Sequence, residues 1–322
     1  TATGTHTLTA TAATVAGETD TADNSNSTTS MVTAHDVAVT LVSAPSPVNV
    51  NQAQTVSVAV ANQGTFSETF TVTLADNLAA TIGEPQTVTV AAGGNRTLSF
   101  SWTPTATGTH TLTATAATVA GETDTADNSN STSSTVNLRD VAVTSVSAPS
   151  PVNVNQAQTV SVAVANQGTV SETFTVTLTD DLAATISGSQ TVTVAAGGNQ
   201  TLNFSWTPTE TGTHTLTATA ATVAGETDTA DNSNSTTSTV IAHDVAVTSV
   251  SAPSPVNVNE AQTVSVVVAN QGTFSETFTV TLTDNLAATI SGPLTVNDLA
   301  AGASQTLSFT WTPTVGGTHT LT

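Results

Sequence analysis

The feature that most constrains the fold is a long internal repeat. The pentapeptide DVAVT begins at Asp36, Asp140 and Asp244, so the same phase of the sequence returns after 104 residues. The third copy is longer by one residue, because Trp311 follows Trp206 after 105 residues. A period of about 100 residues is far longer than a solenoid unit and has the length of one β-sandwich domain. We therefore predict domains in tandem along the 322 residues.

Within each repeat, apolar residues alternate with small polar residues. In QTVSVAVANQG, Val56, Val58 and Val60 point to one face of a predicted strand, and ETFTVTL alternates in the same way. Turn-forming stretches such as APSP, NQG and AAGGN separate these segments. Thr and Val, which dominate the chain, favour strands. The pattern predicts an all-β fold made of tandem Ig-like Greek-key β-sandwich domains of about 104 residues.

The chain opens with TATGTHTLT and closes with TVGGTHTLT, which are the same phase of the repeat. We predict the C-terminal strands of a preceding repeat at 1–33, Ig-like repeats at 34–137 and 138–241, and a repeat lacking its last strands at 242–322. Two interpretations fit this frame. The chain is a window of a longer array, or its first segment completes the third domain of a neighbouring copy by strand addition, giving a homopolymer.

Composition excludes several classes of function. The formal net charge is −21, with no lysine and only Arg96 and Arg139 as basic residues, so binding to nucleic acid or an anionic membrane is not expected. The chain has no cysteine, which excludes disulfides and thiolate metal sites. No apolar run reaches about 20 residues, so we predict no membrane span. Because no catalytic motif such as G-x-S-x-G or a P-loop occurs, we do not expect an enzyme.

Four motifs together resemble a known family. A strand opening DVAVTSV is followed by PVNVNQAQTVSVAVANQGT, by FSWTPTETGTHTLTATA and by the acidic segment GETDTADNSN. This order resembles the cell-adhesion-related domain of bacteria and archaea called CARDB, and it covers every complete repeat. The resemblance implies an Ig-like sandwich in a secreted or surface protein, usually in tandem and usually structural or adhesive.

The acidic segment is the candidate binding site. In the copy at 121–130, Glu122, Asp124, Asp127, Asn128 and Asn130 supply hard oxygen atoms, which calcium requires at six to eight positions. We expect Asp140, which opens the next repeat, to fold back near this loop. The corresponding candidate calcium ligands elsewhere are Asp20, Asp23, Asn24, Asp36, Asp228, Asp231, Asn232 and Asp244. The alternative is a solvated polar turn, because Asp, Asn and Ser are common turn residues and the spacing is not that of an EF-hand.

Other polar residues favour structural roles. His110 is in phase with Leu112, so we expect it to pack at the rim of the buried face. The glutamate of each SETF motif is predicted to be an exposed charge at a strand edge that discourages aggregation; these residues are Glu68, Glu172 and Glu276. Sequons for N-glycosylation occur at Asn26, Asn95, Asn130, Asn199, Asn203 and Asn234.

The leading hypothesis from the sequence is a structural extracellular or cell-surface protein. Tandem repeats would form a stalk, fibre, filament or adhesin shaft, with calcium stiffening the junctions between domains. The alternative is an adhesive binding module that recognises a glycan or a partner surface through Thr-rich faces. The partners expected are therefore further copies of the chain, glycans or another cell.

Overall fold

The computed structural model describes residues 2–78 and 81–322, which form strands and turns without a helix. By internal contacts the chain divides into two compact units. One runs to Arg139 and includes Gly168–Val170, and the other comprises Asp140–Gln167 and Ser171–Thr322. Among the described residues there is accordingly no helix that could cross a bilayer. The all-β, Ig-like repeat fold predicted from the sequence is confirmed.

The first unit contains a separate hairpin and one two-layer sandwich. Its strands are β1 Gly4–Thr11, β2 Ser25–Val32, β3 Val37–Ser43, β4 Val48–Asn49, β5 Gln54–Asn62, β6 Glu68–Asp76, β7 Gln86–Val90, β8 Asn95–Trp102, β9 Gly108–Ala116 and β10 Ser129–Asn137. Strands β1 and β2 pair only with each other among the described strands. One layer of the sandwich has the order β3-β5-β8, and the other has the order β4-β10-β9-β6-β7. All pairs are antiparallel except β4 with β10.

The core of this sandwich follows from the alternation in its strands. Val56, Val58 and Val60 on β5 have no exposed surface, and they face Val72 and Leu74 of the other layer, which are equally buried. Successive side chains of a strand point to opposite faces, so the intervening Thr and Ser residues form the outer surface. The predicted two-faced strands are thus confirmed, and the loop between β9 and β10 is hydrogen-bonded to the start of β3.

The second unit repeats this arrangement and then continues into a less complete one. Its strands are β11 Val141–Ser147, β12 Val152–Asn153, β13 Gln158–Asn166, β14 Glu172–Asp180, β15 Ala184–Ile186, β16 Gln190–Val194, β17 Asn199–Pro208, β18 Gly212–Ala220, β19 Ser233–Ile241, β20 Val245–Ser251, β21 Gln262–Asn270, β22 Glu276–Val280, β23 Ala288–Ile290, β24 Leu294–Leu299 and β25 Ser304–Pro313. The sheets have the orders β11-β13-β17-β15, β12-β19-β18-β14-β16, β20-β21-β25-β23 and β22-β24.

The last two sheets make a sandwich with one short layer. Strand β22 pairs with β24, but no counterpart of the β18–β19 hairpin lies beside it within residues 242–322. The segment after β25 runs beside residues 283–285, where Asp284 and Leu321 form a bridge and Thr283 and Thr322 exchange two backbone hydrogen bonds. The third core is nevertheless built around Val264, Val268 and Trp311, all of them buried.

Candidate cation site

The loop between β9 and β10 is fixed to strand β3 by a glutamate. The Oε1 atom of Glu122 accepts a hydrogen bond of 2.8 Å from the backbone N–H of Val37, and its Oε2 atom accepts one of 2.9 Å from Val119. The two oxygens therefore satisfy backbone donors at positions 85 and 3 residues away. Glu122, which the sequence suggested as a ligand, acts as a clamp between the loop and the first strand of its repeat.

Asp127 continues the same attachment. Its backbone carbonyl accepts a bond of 2.9 Å from Val39, and its Oδ2 atom accepts one of 3.0 Å from the side-chain amide of Gln63. Its other carboxylate oxygen, Oδ1, is buried and has no hydrogen-bond partner. A buried oxygen with unused acceptor capacity is costly unless a donor or a cation is supplied.

Asp36 brings a second carboxylate to this place. The loop after β5 holds its backbone, since the N–H groups of Gln63 and Gly64 donate to the Asp36 carbonyl at 2.8 and 3.2 Å. A Cβ on Gly64 would lie 2.6 Å from the carbonyl oxygen of Ala34, so glycine is needed for this close approach. The Oδ1 atom of Asp36 is also buried without a hydrogen-bond partner.

The electrostatics show that the carboxylates lie close together. Burial raises the pKa of the Asp36 carboxyl above its ordinary value, and the charges of Asp127, Asp124 and Glu122 raise this pKa further. Asp124 itself caps a local turn, because its Oδ1 atom accepts a bond of 3.1 Å from Ala126. Four acidic side chains thus repel one another at the start of β3, and a positive charge there would relieve the repulsion.

The two asparagines of the loop differ. Asn128 is only 5% exposed, and neither its amide oxygen nor its amide nitrogen has a partner. Asn130 is used locally, since its Nδ2 atom donates to the carbonyl of Val39 at 3.3 Å and its Oδ1 atom accepts from Ser131. Of the two, Asn128 is the one with an oxygen available for a ligand.

The second repeat reproduces this cluster and corrects one prediction. Burial raises the pKa of Asp140, and the charges of Asp231, Asp228 and Glu226 raise it further. Asp140, which the sequence analysis assigned to the 121–130 loop, therefore belongs with the loop of its own repeat. The error arose because Asp140 follows the first loop closely in sequence, whereas the hairpin topology returns each loop to the strand that opens the same sandwich.

The details of the second cluster match those of the first. The Oε1 atom of Glu226 accepts from Val141 at 2.8 Å, and the carbonyl of Asp231 accepts from Val143 at 2.9 Å. The Oδ1 atoms of Asp140 and Asp231 are again buried without partners.

Asn232 shows where the loop amide lies. It is 5% exposed, and its Nδ2 atom donates to Glu226 Oε2 at 3.2 Å, which places the amide beside the acidic loop. Its Oδ1 atom has no partner. Asn234, in contrast, donates to the backbone of β11, as Asn130 does to β3.

The remaining predicted ligands are not brought together in the same way. Asp20, Asp23 and Asn24 lie in the loop of the β1–β2 hairpin, where Asp20 Oδ1 accepts a local bond of 3.0 Å from Ala22. Asp244 opens the third repeat, and its carboxylate is not placed beside an acidic loop within residues 242–322. Among residues 2–78 and 81–322, no group of three or more His, Cys, Asp or Glu side chains is arranged so that it could hold a metal ion. A cation would therefore need amide, backbone or water oxygens in addition to the two aspartates.

A second polar group is buried in each sandwich. Asp76 Oδ2 accepts bonds from Trp102 Nε1 at 3.1 Å and from His110 Nδ1 at 2.6 Å, and His110 Nε2 lies 2.9 Å from the carbonyl of Ala106. His110 is 1% exposed, which confirms the expectation that it is packed. A carboxylate and a carbonyl only accept hydrogen bonds, so both ring nitrogens of His110 face acceptors and the ring is fixed between them.

In the third repeat the equivalent pair is His319 and Asp284, and their hydrogen bonds shift both pKa values. The carbonyl of Val315 raises the pKa of His319, and the hydrogen bond to Asp284 adds to the effect. Burial opposes ionisation of Asp284, but hydrogen bonds from His319, Trp311 and the backbone of Leu286 outweigh it and leave the pKa of Asp284 lowered. The group is an internal ion pair that ties the tryptophan strand to its neighbours.

The glutamates of the SETF motifs were predicted wrongly. Glu68 is 9% exposed and Glu172 is 5% exposed, so they are buried rather than exposed edge charges. Glu68 Oε1 lies 2.5 Å from His35 Nδ1, and Glu276 pairs in the same way with His243. Local alternation could not reveal these partners, because each histidine lies 33 residues before its glutamate.

The sequons fall into two groups. Asn130 and Asn234 use their amide nitrogens in hydrogen bonds to β3 and β11, which disfavours glycosylation at these two positions. The sequon asparagines on the surface are Asn26, Asn95, Asn199 and Asn203. Glycosylation at these four positions stays a prediction.

The fold and its acidic loops define a class of protein, namely tandem Ig-like β-sandwich repeats. The CARDB family model matches residues 34–134, 138–238 and 242–322, which is most of the chain. The chain therefore belongs to the CARDB family, as the sequence motifs indicated.

Solved structures give more distant matches. A crystal structure of a CARDB domain from Pyrococcus furiosus in complex with di-metal ions is 25% identical, covers 32% of this chain and 88% of that one, and has a TM-score of 0.28. A solution NMR structure of that domain is 27% identical, covers 32% and 95%, and has a TM-score of 0.29. Red sea bream transglutaminase is 16% identical, covers 65% and 31%, and has a TM-score of 0.26. No curated protein matched the chain.

Proposed function

We propose that this protein is an extracellular spacer in which tandem CARDB repeats provide length and present or connect other parts at a cell surface. The observation that carries the proposal is that residues 34–137 close a core of their own, with every strand of both layers taken from one repeat. Because each sandwich supplies all the strands of its own core, further sandwiches can be joined in tandem without changing it. A strand of ten residues spans roughly 33 Å, so each further domain extends the chain substantially.

The outer surface supports a spacer better than an adhesive face. On β6 and β7 the hydroxyl groups of Thr69 and Thr89 lie 2.8 Å apart, and those of Thr71 and Thr87 lie 3.2 Å apart. Each pair shares one hydrogen bond across the strands, which holds both hydroxyl groups against the sheet. Binding of the purified chain to a glycan array, with affinity lost when Thr69 and Thr71 are both changed to Val, would favour the adhesive alternative.

Calcium at the acidic clusters is the second part of the proposal. Asp36 and Asp127 each offer a buried, unpartnered oxygen, and the loop amide and water would complete the six to eight oxygen ligands that calcium takes. Glu122 would remain the clamp. The ion would lie where the chain enters the sandwich at Asp36, and it would offset the repulsion that raises the pKa of that residue.

Calorimetry of the full chain tests the cation. We expect EDTA to lower the unfolding temperature and calcium to raise it. Calcium at 100 times its dissociation constant should add about 2.7 kcal/mol per site to the free energy of unfolding. The double variant Asp127→Asn with Asp231→Asn should lose the response, because each cluster loses one of its two unpartnered carboxylates. Glu84→Gln, which removes one negative charge at an exposed position outside the clusters, should keep it. If a calcium titration gives no heat of binding and no shift in the unfolding temperature, the calcium site is rejected and the spacer proposal stands.

A further inference from the structure

The first and last segments of each complete sandwich run side by side in the same direction. In the first repeat, the opening segment is residues 36–50, which include β3 and β4, and the closing segment is residues 121–137, which include the acidic loop and β10. Strand β4 pairs with β10 in parallel, and just after β4 the N–H of Val50 donates to the carbonyl of Asn137 at 2.9 Å. The chain enters the repeat through one segment and leaves it through the other, so tension on a tandem array acts on this pair first.

Hydrogen bonds near the start of both segments join them. Val37 donates to the carboxylate of Glu122, and Val39 donates to the carbonyl of Asp127. The side-chain amide of Asn130 donates to the carbonyl of Val39 at 3.3 Å. The opening strand β3 is thus bonded to the closing segment at the point where the chain enters the sandwich.

Two serine hydroxyl groups continue these contacts further along both segments. The Oγ atom of Ser134, a residue that is 1% exposed, donates to the carbonyl of Pro45 at 2.7 Å. The Oγ atom of Ser46 accepts from the N–H of Thr135 at 2.9 Å. The bonds advance together along the two segments and end at the parallel pair of β4 and β10. We call this set of hydrogen bonds between the two segments the parallel row.

The second repeat contains the same row. Ser238 Oγ donates to the carbonyl of Pro149 at 2.7 Å, and Ser150 Oγ accepts from the N–H of Thr239 at 2.9 Å. Strand β12 pairs with β19 in parallel, as β4 does with β10. Both complete sandwiches therefore connect their entry and exit segments in the same way.

The direction of a pulling force decides how such a row breaks. The chain enters at one end of the row and leaves at the other, so tension on the two ends slides the parallel segments past each other and loads all the bonds together. A force applied to both segments at the same end would open the bonds one after another. Forced unfolding is governed by the unfolding rate rather than by equilibrium stability, so the direction of loading matters as well as the number of bonds.

We propose that each complete repeat is a load-bearing unit, in which the parallel row resists tension along the chain by shear. The inference rests on the proposed spacer, because a connector between two attachment points is the part of a surface protein that is put under tension. It also gives the buried hydroxyl group of Ser134 a role, since this group ties the closing segment to the opening segment midway along the row.

Single-molecule pulling of the full chain through introduced cysteines tests the direction of loading. The chain has no cysteine, so the two handles lie only where they are introduced. Thr33→Cys with Asn137→Cys pulls the row in shear, whereas Thr33→Cys with Thr125→Cys pulls it from one end. Thr33 and Thr125 are exposed, and Asn137 is half-buried. In EDTA, which keeps cations out of the comparison, we expect a several-fold higher unfolding force in the shear direction.

Deletion of hydroxyl groups tests whether the row carries the load. Ser46→Ala combined with Ser134→Ala should lower the unfolding force in the shear direction, because two bonds of the row are lost. In the one-ended direction the force should not change, since the bonds at Val37 and Val39 break first. The control is Thr40→Ala with Thr69→Ala, which also removes two hydroxyl hydrogen bonds but outside the row, and it should change neither force.

Three outcomes would overturn the proposal. Equal forces in the two directions would reject the shear mechanism, and so would a serine variant that lowers both forces alike. Either result leaves the spacer in place, because a folded repeat still adds length. Residues 36–137 should open in one step that releases roughly 350 Å of chain, less the length of the folded repeat. The absence of such a step would reject the independently closed repeat, and with it both the load-bearing unit and the spacer.

Discussion

The heptapeptide VAVTSVS occurs as β11 and again as β20, with opposite surroundings. In β11, Val141 is fully buried and Val143 is 3% exposed, whereas Val245 and Val247 of β20 are 46% and 57% exposed. Both strands pair with the next long strand in the same register and with the same irregularity. The difference therefore lies in the opposite layer, where β18 and β19 cover β11. Identical local sequence gives an identical strand, and its burial is decided by a hairpin far away along the chain.

The largest expected difference concerns the leucine that the hairpin buries. Leu216→Ala should destabilise the second repeat by about 2–5 kcal/mol, because it leaves a cavity in a closed core. Leu8→Ala, in the same GTHTLT sequence, should change stability by no more than about 0.5 kcal/mol, since Leu8 is exposed. Thermal unfolding at a concentration where the chain is monomeric measures both. Equal losses for the two variants would show that the hairpin at residues 4–32 is packed against a core of its own.

A smaller difference is expected at the glutamate clamp. Glu226→Ala should cost about 1–3 kcal/mol, because the N–H groups of Val141 and Val223 lose their acceptor. Glu18→Ala should cost less, since the carboxylate of Glu18 accepts only from the nearby Val15 among the described residues. Glu226→Gln keeps one acceptor oxygen and should recover part of the loss. Unfolding by denaturant compares the three variants, and a Glu18→Ala loss as large as that of Glu226→Ala would contradict the clamp.

The sequence predicted the faces of the strands but not the partners of the charged groups. The alternation around Val56–Val60 shows which side of β5 is buried, because the period of a strand is two. The same local pattern cannot show that Glu122 reaches Val37, which lies 85 residues earlier, or that Glu68 is covered by His35. Asp140 was assigned to the wrong loop for this reason. The sequence shows that Asp140 is close to the first loop along the chain. It does not show that each acidic loop folds back onto the first strand of its own repeat, because that depends on the topology.

The smallest expected effect is the pH dependence of stability that Asp36 causes in the first repeat. In calcium-free solution the pKa of Asp36 in the folded protein lies above its ordinary value of 3.8, because of burial and then the neighbouring carboxylates. The folded state therefore binds this proton more tightly than the unfolded chain. The resulting stabilisation is fully present below the ordinary pKa and is lost as the pH rises through the raised one.

Asp36→Asn removes this titration, so without calcium the variant should be more stable than the wild type at neutral pH, and the advantage should shrink as the pH falls. Unfolding temperatures of the two chains across the acidic range, with Glu84→Gln as the control, measure the difference. Calcium should reverse the order at neutral pH, because the wild type alone keeps both unpartnered carboxylates of the first cluster. A variant that is less stable than the wild type at neutral pH even in EDTA would mean that Asp36 is held by favourable contacts rather than by repulsion.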